Sequence, residues 1–348
     1  MIRLQKSVLA GVLQPTAAQD LWPALQQAIE LEHATIPLYL YALYSLNPKR
    51  NAEIAAILQS VVVEEMLHMT LASNVLNALG GSPSIDRPDF IPKYPGPLPG
   101  GVQSELTVHL APFSMKQLEV FLTVEEPEDP IEFKLQAAAA LPDEITIGEF
   151  YTAIMIALEI LGDGVFVTPP RNQVGPDLMP QSVVVSNVAT AKQAIQTIID
   201  QGEGTSTSPL EIVGAGYAHY YRYMQIKKGH LLVQNPDPKL PPDQQYSYTG
   251  MAVPFDPNGV YAVGSDPLSS NYPAGSAQAF ANDNFNYTYT NLLGALHAMF
   301  NGQSTEDEFN RAIGLMMSLK EQAMAMMSGI PNPALSIGPS FQYLAVNP

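Results

Sequence analysis

The chain has 348 residues, 46% of them hydrophobic, enough to bury one large core or two moderate ones. Its 33 acidic residues against 16 basic ones give a formal net charge of −17, a field that repels nucleic-acid backbones and attracts cations. The absence of cysteine excludes disulfide frameworks, thiolate zinc sites, iron–sulfur clusters and cysteine nucleophiles.

The mildly basic start, Met1-Ile2-Arg3-Leu4-Gln5-Lys6, leads into an apolar segment broken by Gly11 and Pro15, so no signal peptide is read there. No run looks long enough to cross a bilayer. The expectation is a soluble cytoplasmic protein without membrane or nucleic-acid partners.

Helical periodicity predicts a first helix over about residues 17–46, with Leu21, Leu25, Ile29, Glu32, Ile36, Tyr39 and Leu43 on one stripe. Pro37 falls inside it and should kink it. Asn47-Pro48 marks a turn. A second helix is predicted over about 49–79, closed by Gly80-Gly81 as a C-terminal cap. So short a connection makes the two helices antiparallel neighbours and brings Glu32 and Glu65 to similar depth. Residues 82–101 are dense in proline and cannot be helix. A weak extended piece is expected over 104–110, then a short helix over 114–124 ended by Glu125-Glu126-Pro127. The third bundle helix is predicted over 146–161. The fourth is broken: 189–201 is helical, residues 204–209 interrupt it, and a second half runs from about 211 to 228. Beyond His230 the sequence is irregular until two further helices, near 276–300 and 305–327. The reading is a mainly α, four-helix bundle over 1–230 with long proline-rich crossovers, and a C-terminal cap over 231–348.

Polar residues inside apolar stripes carry the functional signal. Glu65 and His68 are three apart, on one face, within the stripe Ile54, Leu58, Val61, Ala72, Val75. A buried carboxylate requires a positive partner, and bundles of this kind build dinuclear metal sites from such Glu-x-x-His pairs. Glu32 and Glu149 interrupt their stripes in the same way. Glu203 and His219, sixteen residues apart on the broken helix, complete the set: Glu32, Glu65, His68, Glu149, Glu203 and His219. Glu64, Glu159 and Glu211 are the rivals for Glu65, Glu149 and Glu203. Oxygen and nitrogen donors with bridging glutamates suit two iron ions, with manganese or zinc as alternatives.

These segments also carry a family resemblance. Glu32-His33-Ala34-Thr35-Ile36-Pro37-Leu38-Tyr39-Leu40, Val63-Glu64-Glu65-Met66-Leu67-His68-Met69, Gly148-Glu149-Phe150-Tyr151 and Gln201-Gly202-Glu203-Gly204 resemble the ferritin-like domain of the iminophenyl-pyruvate dimer synthase family, as does Ala218-His219-Tyr220-Tyr221-Arg222. Phe285-Asn286-Tyr287-Thr288 and Gly338-Pro339-Ser340-Phe341 are similar to its later segments. The resemblance implies a ferritin-like fold and oxidative coupling of amino-acid-derived imines.

The function expected is a metal-dependent, di-iron oxidoreductase that activates dioxygen to oxidise or couple a small amine- or imine-bearing metabolite, with residues 231–300 covering its mouth. Its partners would be that substrate and dioxygen, with a homodimer as a candidate assembly. The competing readings are a ferroxidase or metal-handling protein and a non-catalytic bundle acting as a pathway accessory.

Overall fold

A computed structural model describes residues 3–100, 106–126, 144–202, 216–237, 239–240, 245–329, 332 and 335–344. Two long helices form its spine. α1 spans Trp22–Tyr44 and α2 spans Ala52–Ala78. α1 starts later than its periodicity suggests, because Ala18–Leu21 winds as a 3₁₀ turn and Pro23 favours the first helical turn. The helix continues through Pro37.

α2 ends where the glycines put it. Gly80 is left-handed (φ +81°), its N–H bonds the Asn77 carbonyl at 3.0 Å, and the Gly81 N–H reaches back to Leu76 O at 3.0 Å. This paired arrangement satisfies carbonyls the helix end would otherwise leave open. Trp22 at the start of α1 donates to Leu79 O just past the end of α2, while Glu32 lies beside His68 at mid-height. The pair is therefore antiparallel.

Shorter helices lean on this spine. α3 (Met115–Val124) is capped by Ser114, whose hydroxyl accepts from the Gln117 N–H at 3.1 Å. α4 (Ile147–Leu161), α5 (Val188–Gly202) and α6 (His219–Lys228) follow. α4 packs on α5 and α3 on α6, and both α5 and α6 rest on α2. The described part of the second half-helix thus begins at His219. The remainder of the break, with Glu203 and Glu211, lies outside the described residues.

The strand β1 (Arg3–Gln5) pairs antiparallel with β2 (Glu144–Thr146), Leu4 opposite Ile145, and both of those side chains are fully buried. This clasp ties the start of the chain to the N-terminus of α4. Between α2 and α3, Val108 forms a single antiparallel bridge to Gly96, the pairing that the described residues of the stretch 104–110 make. The strands β3 (Val233–Gln234) and β4 (Tyr246–Ser247) make a second small ribbon.

α7 (Ala277–Phe300) and α8 (Glu306–Ser328) are capped by Ser276 and Thr305 and pack on each other, α7 also against α2 and α8 against α1. Buried side chains from Leu4 to Phe341 form one apolar core. One expectation needs correction: α2 is long and apolar enough to cross a membrane by length and composition. However, 61% of its most apolar stretch is buried inside the protein, as in a core helix.

Candidate metal centre

Halfway along the spine, five ionisable side chains converge where apolar packing would be expected. Glu32 comes from α1, Glu65 and His68 from α2, Glu125 from the residue closing α3, and His219 from the first turn of α6. All five are buried. Two groups of donors, Glu32–Glu65–His68 and Glu65–Glu125–His219, each have their ligand atoms within 4.8 Å of one another.

Glu65 belongs to both groups and divides its oxygens between them. Oε2 lies 3.9 Å from His68 Nδ1, and Oε1 lies 3.2 Å from His219 Nδ1. His68 Nδ1 is also 3.4 Å from Glu32 Oε2, and His219 Nδ1 is 3.4 Å from Glu125 Oε2. The two imidazoles stack at 5.4 Å between ring centres. Each therefore turns its Nδ1 inward, toward carboxylate oxygens.

The outward nitrogens are held by fixed acceptors. His68 Nε2 lies 3.1 Å from Gln201 Oε1, and the Gln201 amide is oriented by donating to Gln181 Oε1. His219 Nε2 lies 3.0 Å from Glu64 Oε2, while Arg222 donates to the other Glu64 oxygen at 2.9 Å. These acceptors place the ring hydrogen on Nε2 and leave the Nδ1 lone pair for the interior, as in metal-binding histidines. Tyr39 donates to Glu125 and Tyr151 to Glu32, each through a short hydrogen bond that fixes one carboxylate oxygen.

Three buried carboxylates repel one another unless a positive charge sits among them. In the metal-free chain protons supply that charge. Burial alone would lower His219, but the carboxylates of Glu125, Glu64 and Glu65 around it hold it well above its ordinary value. His68 is raised against its burial by Glu32. Burial and then the Glu125 charge push Glu65 up to about 7, while Glu32, despite burial, is held down by His68 and Tyr151. His219 Nδ1 has carboxylate oxygens within 3.5 Å yet makes no hydrogen bond to them. That is the placement of a metal donor rather than a hydrogen-bond donor, so this oxygen and nitrogen set fits divalent metal ions.

Of the residues expected from sequence, the structure brings together Glu32, Glu65, His68 and His219. Glu149 is placed elsewhere. Its Oε2 accepts from the Thr146 N–H at 2.9 Å and its own N–H donates to Thr146 Oγ1 at 3.1 Å, a reciprocal cap on α4. Two residues on, Tyr151 is the α4 side chain that reaches the cluster. Glu203 lies outside the described residues. Among the rivals, Glu64 stands behind His219, Glu159 pairs with Lys192, and Glu211 is also outside. Glu125 escaped the sequence reading, which took it as a helix terminator. Its signal was present, because Leu118, Phe121, Leu122 and Glu125 continue one helical stripe. The small cavity at the cluster, about 50 Å³, is lined by residues between Leu31 and Gly202. Among its described residues, the segment 231–300 contributes none of that lining, so the covering role expected of it draws no support there.

A helical bundle enclosing a cluster of carboxylates and imidazoles is the arrangement from which such bundles build metal sites. The chain belongs to the Ferritin-like family, whose model matches residues 25–228. Among solved structures it is similar to a ferritin-like protein from Caulobacter vibrioides, with 25% identity and a TM-score of 0.62, over 93% of this chain and 97% of that one. No curated protein matches the chain.

Proposed function

We propose that the cluster holds two divalent metal ions, iron foremost, with Glu65 bridging them. Glu32 and His68 would complete one site, and Glu125 and His219 the other, with Glu203 the candidate for a further carboxylate. The observation carrying this reading is that the two oxygens of Glu65 face two different inward-turned imidazole nitrogens. Bound iron would supply the electrons that reduce dioxygen. The chain's own part is to hold the donors: Tyr39 and Tyr151 pin one oxygen each of Glu125 and Glu32, and Gln201 and Glu64 fix the imidazoles. Leu31, Val124, Ile147 and Ile198 line the cavity and limit water.

On this reading the protein is a dioxygen-using oxidoreductase acting on a small amine- or imine-bearing metabolite, in line with its resemblance to the iminophenyl-pyruvate dimer synthase family. A reducing cytoplasm suits the cysteine-free chain. A second reading, a ferroxidase without organic substrate, draws support from the cavity of about 50 Å³, since roughly 150 Å³ is needed to take one benzene ring.

Anaerobic loading with ferrous iron followed by air decides between them. The expected result is two iron ions per chain and oxygen uptake that continues beyond the iron added once amine metabolites are supplied. Uptake that stops when the ferrous iron is spent, whatever amine is present, supports the ferroxidase. No uptake beyond a metal-free control sinks both.

A further inference from the structure

α8 packs its inner face on α7 and α1, with Ala312, Leu319, Ala323 and Met327 buried. Its outer face is not the polar surface that a peripheral helix normally shows. Ile313 is 38% exposed and Met317 65%, and Val63 of α2, 58% exposed, lines the same apolar cavity as Met317. Met324, half-buried, continues the row. Apolar residues four and then seven apart keep to one side of a helix, the repeat that brings two helices together side by side.

Two further features share that face. At about 100° per residue, Met317 and Met324 fall on one line along α8, with Lys320 and Glu321 about 50° to either side of it. Both charged residues are exposed, and the ion pairs among the described residues leave both out. Seven residues earlier, Ile313 and Gly314 straddle the line in the same order. Gly314 sits in mid-helix, where glycine is a poorer choice than alanine. A Cβ there would meet nothing within 4 Å, so no packing among the described residues calls for a glycine.

We infer that the outer face of α8 is an interface between two copies of this chain, paired about a twofold axis that runs along the helix. A closed pair requires one patch to match itself, and this patch does. A twofold along α8 sets the two helices side by side in one direction and puts Met317 and Met324 against their own counterparts. Each flank then meets the opposite flank of the second copy. Lys320 faces Glu321 of the second copy, twice over, and Ile313 packs over the hollow at Gly314. An antiparallel pair would bring like flanks together and lose both matches. Charge points the same way. Each chain carries −17 overall, so two copies repel over most of their surfaces, whereas here one cation and one anion complement each other across the axis. The pairing also covers Val63 and Met317, apolar surface that a lone chain leaves in water.

Charge reversal tests it, read by sedimentation velocity on the 348-residue chain at physiological ionic strength, where the Debye length is about 8 Å. The wild type is expected to be a dimer at micromolar concentration. Lys320→Glu and Glu321→Lys should each weaken association about tenfold or more, because each sets like charges face to face on both flanks. The variant carrying both reversals should recover the dimer. Gly314→Leu fills the hollow and should weaken association, while the monomer melts no lower because leucine favours the helix. A monomeric wild type, a dimer indifferent to the single reversals, a double reversal no better than the singles, or undiminished association of Gly314→Leu overturns the proposal. The substituted positions are exposed, and circular dichroism checks that each variant folds. Should one fail to fold, the wild-type assembly and the remaining variants still decide.

Discussion

Glu65 illustrates how one residue can carry opposite signs in two states of the same protein. In the metal-free chain its ionised form is penalised by burial and by Glu125, so Glu65→Gln relieves that penalty and should stabilise the apoprotein by about 1 kcal/mol. With metal present the same substitution removes the proposed bridge. Saturating metal at a hundred times its Kd adds about 2.7 kcal/mol to a protein that binds it, and Glu65→Gln should forfeit most of that gain. Thermal unfolding with and without ferrous iron, beside elemental analysis, reads both signs; a variant that still binds two ions refutes the bridge. Protons compete with the metal in a known direction. Glu65 up to about 7, and both histidines above their ordinary range, hold protons in the metal-free site that a dication must displace. Affinity should therefore rise with pH, by about tenfold per unit for each proton released, between pH 6 and 8 in a competition titration. A flat profile would mean the cluster is not the metal site. Glu32, Glu65 and His68 were legible because a charge inside an apolar stripe has few explanations. Glu125 was equally legible in kind, but the prolines at 127 and 130 drew attention to where the helix stops rather than to the face it was presenting.

At the scale of the elements, glutamates that look alike in sequence part company. Glu149 sits three residues after Thr146, the spacing of a reciprocal helix cap, and the structure uses it so. Glu125 ends α3 and turns inward. The two are separable by experiment. Thr146→Ala should cost about 1 kcal/mol of stability, the usual value of an N-cap, and leave metal content unchanged. Glu125→Ala should lower metal content toward one ion per chain with a smaller change in apoprotein stability. If Glu149→Ala strips metal while Glu125→Ala does not, the roles assigned here are reversed. Helix ends were readable wherever a side chain or glycine writes the cap: Gly80-Gly81 after α2, Ser276 before α7, Thr305 before α8. The start of α1 was not, because Ala17 to Leu21 continues the apolar period while winding as a 3₁₀ turn. Periodicity reports which face is buried, and it is blind to the difference between two helical windings over a single turn.

For the molecule as a whole, composition suggested a boundary near residue 230, where helical sequence gives way to proline, glycine and asparagine. The contacts across that boundary argue for one cooperative unit. Tyr289 bonds His33, the Phe300 carbonyl accepts from Asn77 at 2.7 Å, and Tyr261 donates its N–H to the Ser45 carbonyl at 2.8 Å. Asn51, just before α2, donates to Asp256 O and Gly259 O at 3.1 Å each. Every one of these reaches α1, α2 or the turn joining them, so the later segment closes the outer face of the same spine that carries the metal cluster. Removing it would uncover Ile36 and Leu40 of α1 and Val62 and Met66 of α2, which line a cavity walled by α7 and α8. The metal-free chain should therefore unfold in a single calorimetric transition with matching calorimetric and van't Hoff enthalpies. A chain ending at His230 should aggregate or bind a hydrophobic dye instead of folding to the same bundle. Two resolved transitions, with the C-terminal one melting while the apoprotein bundle keeps its helicity, would instead make 231–348 a domain in its own right.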